Sequence, residues 1–413
     1  MRPPAQPSRF NPPPNKPTGL FRDRDFLCLW WVGLASFLIR WLEILVFGVF
    51  TYQATGSAFT VAMMTMLRLL PMALFGAALG TLAERIVRHQ ALLLVVSGSL
   101  LTSLILTVIS YAGHLEVWHL AVASFINGTA WASDNPVRRS MVGDIVGPVL
   151  MGRAMSLEVG TSTATRLAGP GMGGFLLASI GIAGIFAMST VLYASALIAV
   201  LAVRQRDGNR RTDSTSFLAS MAAGFAVLRR DPRMTGALWI TVLFNLFGWP
   251  VLSMVPVIGK DQLGLGPGMI GLLASSDGLG ALISALIVAR LSAPGRYGRT
   301  YVLGLALFLL MLTPFALAPH PALAGMALFF SGAGQAGFAI MQATLMLVLA
   351  PPGLRSQAMG LMTMCIGTGP LGFLMLGALA EQFGAPATAV TLSLGGLLML
   401  AVSWPWWRQL WRT

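Results

Sequence analysis

A polytopic α-helical integral membrane fold is predicted by three features: the composition, the uninterrupted apolar runs and the placement of the basic residues. Apolar residues make up 56% of the 413-residue chain and charged residues only 10%, against roughly 25% charged in a soluble domain. Mean hydropathy is +0.76. Ala91–Ala112, Ile182–Val203 and Pro386–Trp407 each run 22 residues without a formal charge, and about 20 such residues carry a helix across hydrocarbon ~30 Å thick. Backbone polar groups find no water there, so runs of this length read as helix. The ~10-residue alternation of a membrane β-barrel is absent.

In chain order, twelve spans are expected near residues 26–50, 58–82, 91–112, 117–135, 152–177, 182–203, 235–257, 268–290, 300–318, 322–345, 358–380 and 386–407. With the N-terminus in the cytoplasm, 23 of the 27 Lys and Arg fall in the terminal tails and inside loops. Arg40, Arg68 and Arg166 lie within spans, leaving Lys260 alone outside. This asymmetry follows the positive-inside rule and puts both termini in the cytoplasm. The net charge of +13 therefore reads as topology and contact with anionic lipid, not nucleic-acid binding. Cys28 and Cys365 supply no disulfide or metal framework. The Pro- and Arg-rich stretch 1–25 lacks the form of a cleavable signal peptide, so the first span is expected to be the insertion signal.

Five regions follow. A cytoplasmic tail spans 1–25, a first six-helix half 26–203, a linker 204–234, a second six-helix half 235–407 and a short tail 408–413. The linker's Phe217–Arg230 stretch reads as an amphipathic interfacial helix. The halves echo each other. Leu29-Trp30 and Trp41 recur as Leu238-Trp239 and Trp249, and Gly169-Pro170-x-x-Gly173-Gly174 recurs as Gly369-Pro370-x-Gly372. Paired six-helix halves around a midplane site are a common transporter architecture.

Charges at membrane depth are costly and mark function by default. Arg40 and Glu43, at i, i+3 in the first span, share a face and can pair. Arg68 and Asp277 hold equivalent places in the repeat, near the midplane. Glu158, Ser162 and Arg166 form a polar stripe along the fifth span. Glu43, Asp277 and Glu158 are thus candidate proton-coupling carboxylates, and Arg40, Arg68 and Arg166 candidate substrate contacts. Asn245, Gln335 and Gln342 are further candidates, for hydrogen bonds to substrate or to a neighbouring helix. Gly332-Ala-Gly334-Gln-Ala-Gly337 matches a dinucleotide-loop pattern, but it lies inside a span with no preceding strand and reads as helix packing.

After the second span the chain reads Gly80-Thr81-Leu82-Ala83-Glu84-Arg85-Ile86-Val87-Arg88-His89. This resembles the Gly-x-x-x-Asp-Arg-x-Gly-Arg-Arg signature of the major facilitator superfamily, with Glu for Asp and Val for the second Gly. Thr55-Gly56-Ser57, Asp134-Asn135-Pro136-Val137-Arg138 and Arg166-Leu167-Ala168-Gly169-Pro170-x-x-Gly173-Gly174 extend the resemblance over nearly the whole chain. Together they are similar to the branch holding the enterobactin exporter and macrolide-efflux-type proteins. The resemblance implies the major facilitator fold, with Glu84 capping the eleventh span and Arg85 or Arg88 latching to Asp134. It also associates the Gly-Pro run with antiporters.

No nucleotide-binding motif, nucleophile–base pair or metal constellation is visible, so neither an enzyme nor a cofactor is expected, and an ion or substrate gradient must drive the protein. The expected activity is proton-coupled efflux of a small organic molecule by a monomer in the inner membrane. Glu43 and Asp277 would carry protons while Arg40 and Arg166 meet an anionic part of the substrate. Uptake, flipping of a lysophospholipid-like amphiphile, and a non-transporting receptor or scaffold remain the alternatives.

Overall fold

The computed structural model describes residues 19–85, 87–204, 231–291, 295–350 and 355–412. The predicted interfacial helix at 217–230 lies outside these residues, as do the side chains of Gly80, Glu84 and Arg85. The described residues are all-helical. Nine stretches among them are long and apolar enough to cross a membrane.

Each helix begins and ends where local chemistry dictates. Helix α1 (Arg24–Thr55) is capped by Asp23, whose carboxylate accepts from the Asp25 and Phe26 amides at 3.0 and 3.2 Å. It stops at Gly56, whose φ of 65° is left-handed. Helices α2 (Ala58–Arg85) and α3 (Arg88–Tyr111) follow. The long run Val117–Ala202 is broken at Gly147 and Gly181, both at positive φ with extended ψ. The breaks divide it into α4 (117–146), α5 (148–180) and α6 (182–202).

Helix α7 (Pro232–Asp261) is irregular in its middle. An α-helical start to Leu243 loosens to a π-turn over Phe244–Gly248 and tightens to 3-10 over Trp249–Met254. Pro250 and Pro256 each remove a backbone donor and clash with the preceding turn, so a regular helix cannot continue. At its start, partial burial pushes the Asp231 carboxyl up, but hydrogen bonds and charge from Arg233 outweigh it and hold the group below its ordinary value. Helices α8 (Pro267–Leu291), α9 (Tyr297–Ala316) and α10 (Pro321–Leu349) are continuous. Helix α11 comes in two pieces, Arg355–Ile366 and Gly369–Phe383, before α12 (Ala385–Val402).

Apolar surface is turned outward. Leu101, Leu104, Ile105 and Val108 of α3 and Leu394 and Leu398 of α12 are all exposed. Such a belt is stable only against lipid. Inside, α7, α9 and α10 join through stacked rings: Phe338 lies 4.3 Å from Phe244 and 4.8 Å from Tyr301, centroid to centroid.

Glycine sets how near the helices come. The Gly169–Gly174 run wedges α5 between α1 and α8. A Cβ on Gly169 would overlap Trp41, and one on Gly174 would overlap the Pro267 carbonyl and Gly271. The run is therefore a packing surface that joins the two halves. At the face carrying Gly56, Gly264 and Gly384 the halves also touch directly. The Tyr52 hydroxyl bonds Asp261, and Glu381 accepts from the Ser57 hydroxyl at 2.9 Å and from the Phe59 amide at 3.4 Å.

Gly332 of α10 faces the backbone of Asp277, where a Cβ would overlap the carbonyl. Gly332→Leu should lower the thermal midpoint in detergent, because overpacking costs ~1–3 kcal/mol. An unchanged midpoint would contradict so close a crossing.

Candidate functional site

Two cavities hold intramembrane charge, and different helices build them. The larger, about 670 Å³, lies between the halves. Its walls are mostly apolar, with Trp41, Leu45, Val61, Leu252 and Leu328 among them. Arg166 of α5 and Asp277 of α8 stand on opposite halves of this wall and pair at 2.5 Å. Close approach of α5 and α8 makes the bridge possible: a Cβ on Gly278 would fall 2.7 Å from Leu167 Cα. Among the described residues, the pair leaves Asp277 Oδ1 and Arg166 Nε buried without partners. Nearby, the Ser275 hydroxyl accepts from the Gly171 amide at 2.9 Å and ties the same two helices.

The second cavity, about 350 Å³, lies within the N-terminal half among α1, α2, α3, α4 and α6. Arg40, Arg68 and Asp134 supply its charges. Glu43 sits behind this wall with no exposure at all. Its Oε2 accepts from Arg68 at 2.7 Å and from Asn127 at 2.9 Å, and its Oε1 has no partner.

These contacts correct two expected pairings. Glu43 is neutralised by Arg68, not by Arg40 three residues away. Helices α2 and α4 cross at Gly128, where a Cβ would overlap the Arg68 carbonyl, so Arg68 and Asn127 converge on the carboxylate. Arg40 lies instead over the rings of Trp131 and Phe37, at 4.5 and 5.4 Å. The second correction concerns Arg88, which bonds Asp144, while Asp134 binds Arg138 one turn on at 3.3 Å; the alternative partner Arg85 has its side chain outside the described residues. Asp134 and Arg138 share a buried face of one helix, whereas Arg88 and Asp144 meet near the surface.

Glu158 joins the same network, at 3.3 Å from Arg138 and 2.9 Å from Arg139, and lines neither cavity. Arg138 is almost fully buried and fills the space left by Gly33. Asn245 donates to the Thr241 carbonyl at 2.8 Å and Gln342 to the Thr241 hydroxyl at 3.1 Å. Gln335 is buried, with its Oε1 unpartnered. None of the three lines the larger cavity.

Sequence reading missed Trp41, Thr65 and Ser253 on the larger cavity and Tyr193 and Trp131 on the smaller one. For Ser253 the signal was Pro250 and Pro256 inside an apolar span. The other four carry no charge and no motif.

An Arg68→Met substitution should destabilise the fold by ~3–5 kcal/mol, because it strands a buried carboxylate. Adding Glu43→Leu should restore most of that loss in the unfolding midpoint. A double variant as unstable as Arg68→Met alone would show that the two side chains do not neutralise each other.

Comparison with known proteins agrees with this architecture. A family model described as transmembrane secretion effector matches residues 16–409. The chain is 24% identical to macrolide efflux protein A of Streptococcus pyogenes over 267 residues, 62% of this chain and 64% of that protein. It thus spans just under two thirds of that relative's length. It is 25% identical to macrolide efflux protein A of Enterococcus faecalis over 240 residues, 56% of this chain and 72% of that protein. Among solved structures, the nucleoside transporter NupG superposes with a TM-score of 0.74 at 13% identity, covering 93% of this chain and 99% of the other. A bacterial homologue of the human lysosomal transporter Spinster, inward-facing and unoccupied, gives 0.73 at 14% identity, covering 96% and 98%. At these identities the structures speak for the fold alone. The model match over nearly the whole length identifies this chain as a member of the transmembrane secretion effector family of major facilitator superfamily transporters.

Proposed function

We propose that the chain is a secondary active exporter that exchanges protons for a small, largely apolar organic molecule. The Arg166–Asp277 pair carries this reading, because among the described residues it is where opposite charges bridge the two halves on a cavity wall. Antiport requires a group that holds proton or substrate but not both. The unpartnered Oδ1 of Asp277 fits that role. A donor group on the substrate takes this oxygen only while the carboxylate is ionised, and a proton arriving there displaces it. Protonation also weakens the hold on Arg166, loosening α5 from α8. Glu43 is the second proton station, and its charge state acts on Arg68.

Efflux is supported by the macrolide efflux proteins among the relatives, and the halves are in contact at the Gly56 face. With twelve crossings of a bacterial inner membrane and both termini cytoplasmic, that face is the external one. The larger cavity then belongs to a state closed to the outside. Glu84 would serve the opposite state by capping the N-terminal end of α11, where a carboxylate meets the positive end of the helix dipole. Anionic lipid contacts the basic cytoplasmic face, and the working unit is a monomer.

In proteoliposomes loaded with a labelled macrolide, an imposed proton gradient should drive uphill movement by the native chain. Asp277→Asn should abolish that drive while keeping downhill exchange, and Glu43→Gln should alter its pH dependence. Wild-type, gradient-driven transport in both variants would remove these carboxylates from the mechanism. Cysteines placed at Gly208 and Gly295 should react only with reagent on the cytoplasmic side, and labelling of either from outside would overturn the topology.

A further inference from the structure

The cavity inside the N-terminal half holds a guanidinium whose hydrogen-bonding capacity its own side chains do not meet. The half-buried Arg40 and the buried Arg68 and Arg138 face the buried carboxylates Glu43, Asp134 and Glu158, and Arg139 joins Glu158 from a half-exposed position. Arg68 takes Glu43, while Arg138 and Arg139 take Asp134 and Glu158. Among the described residues the Arg40 guanidinium makes no hydrogen bond or ion pair, and its neighbours are the faces of Trp131 and Phe37. Aromatic faces leave the N–H edge of a guanidinium unsatisfied, and a cation at membrane depth is costly without an acceptor.

That edge borders open space. The cavity of about 350 Å³ is lined by Arg40 and Arg68 together with the hydroxyl-bearing Ser36, Ser99 and Tyr193. Its one lining carboxylate, Asp134, has both oxygens engaged by Arg138, at 3.3 and 3.4 Å. Two guanidiniums and three hydroxyls supply donors to this wall, which the Asn127 amide and the Asp134 carboxylate share. Arginine forks favour planar or spherical anions, which they hold by charge-assisted hydrogen bonds.

We propose that this cavity is a binding site for a small monovalent anion, a halide or a carboxylate of a few heavy atoms, held between Arg40 and Arg68. Asp134 on the same wall selects against a second negative charge. The enclosed part of this space takes only a group of about water size, which excludes a drug-sized molecule. An anion there competes with Glu43 for Arg68, so occupancy of the site and the charge of Glu43 are linked. The site lies within one half and does not rest on the exchange of protons at Asp277.

The test uses the full-length protein in detergent at constant ionic strength, with formate, chloride or sulfate as the varied anion. The thermal midpoint should rise saturably with formate or chloride and not with sulfate. Arg40→Gln should flatten the response, and Asp277→Asn should keep it. Equilibrium dialysis with labelled formate below the unfolding range should find one site per chain. Arg40→Lys, which keeps the charge and loses the fork, should weaken it about tenfold and provides the reading if Arg40→Gln does not fold. No saturable response in the native chain, an equal response to sulfate, or unchanged affinity in Arg40→Lys would each overturn the proposal.

Discussion

A charged side chain at membrane depth is costly unless a counter-charge or a polar cavity meets it, and lipid tails supply neither. In this chain that requirement fixes which helices lie side by side. Glu43 draws Arg68 and Asn127 onto itself, locking α1, α2 and α4 together. Arg138 ties α4 to α5 through Glu158. The Arg166–Asp277 pair crosses from one half to the other. The first two couples are confined to one rigid half and serve its integrity. The third spans a boundary that must change during transport, so its strength bears on function and not only on folding.

Charge pairing at these distances depends on backbone proximity, and glycine provides it. The α2–α4 contact at Gly128, the α5–α8 contact at Gly174 and Gly271, and the α8–α10 contact at Gly332 each bring backbone against backbone. Lipid-embedded helices gain little from apolar burial against one another, so van der Waals contact through small residues takes its place. Helices α7 and α11 depart from this pattern, with a π/3-10 stretch and a two-residue break respectively. They meet where Gly372 packs on the Asn245 carbonyl. Irregular backbone at such depth is tolerated where protein surrounds it, and it gives these two helices places to bend.

The fold was legible because the bilayer imposes a length and a charge rule on every span. Apolar runs placed most helix starts to within a few residues, although α4 continues eleven residues past the expected end at 135, and the facilitator motifs placed the family. Arg166 and Asp277 each stood out as charges at membrane depth, and the close crossing of α5 and α8 is what brings them together. Side-chain partners within the first half were not. Arg40 and Glu43 share a helical face, yet Arg68 arrives from another helix and wins. Periodicity measures neighbours along one helix and is silent about the crossing at Gly128 that delivers Arg68. The motif offered Arg85 or Arg88 to Asp134, but Arg88 turns to Asp144, and Arg138 reaches Asp134 from one turn along the same helix. Apolar cavity walls such as Trp41 leave no trace in sequence, because lining a pocket and packing a core require the same residue types.

Arg166 and Asp277 join the two halves on the wall of the larger cavity. Reversing the pair tests that contact most directly. Arg166→Asp and Asp277→Arg should each lower the unfolding midpoint sharply, since each places two like charges together. The double variant Arg166→Asp/Asp277→Arg should recover most of the loss. A double variant no more stable than the worse single one would show that these side chains do not pair, and the account of the cavity would fail with them.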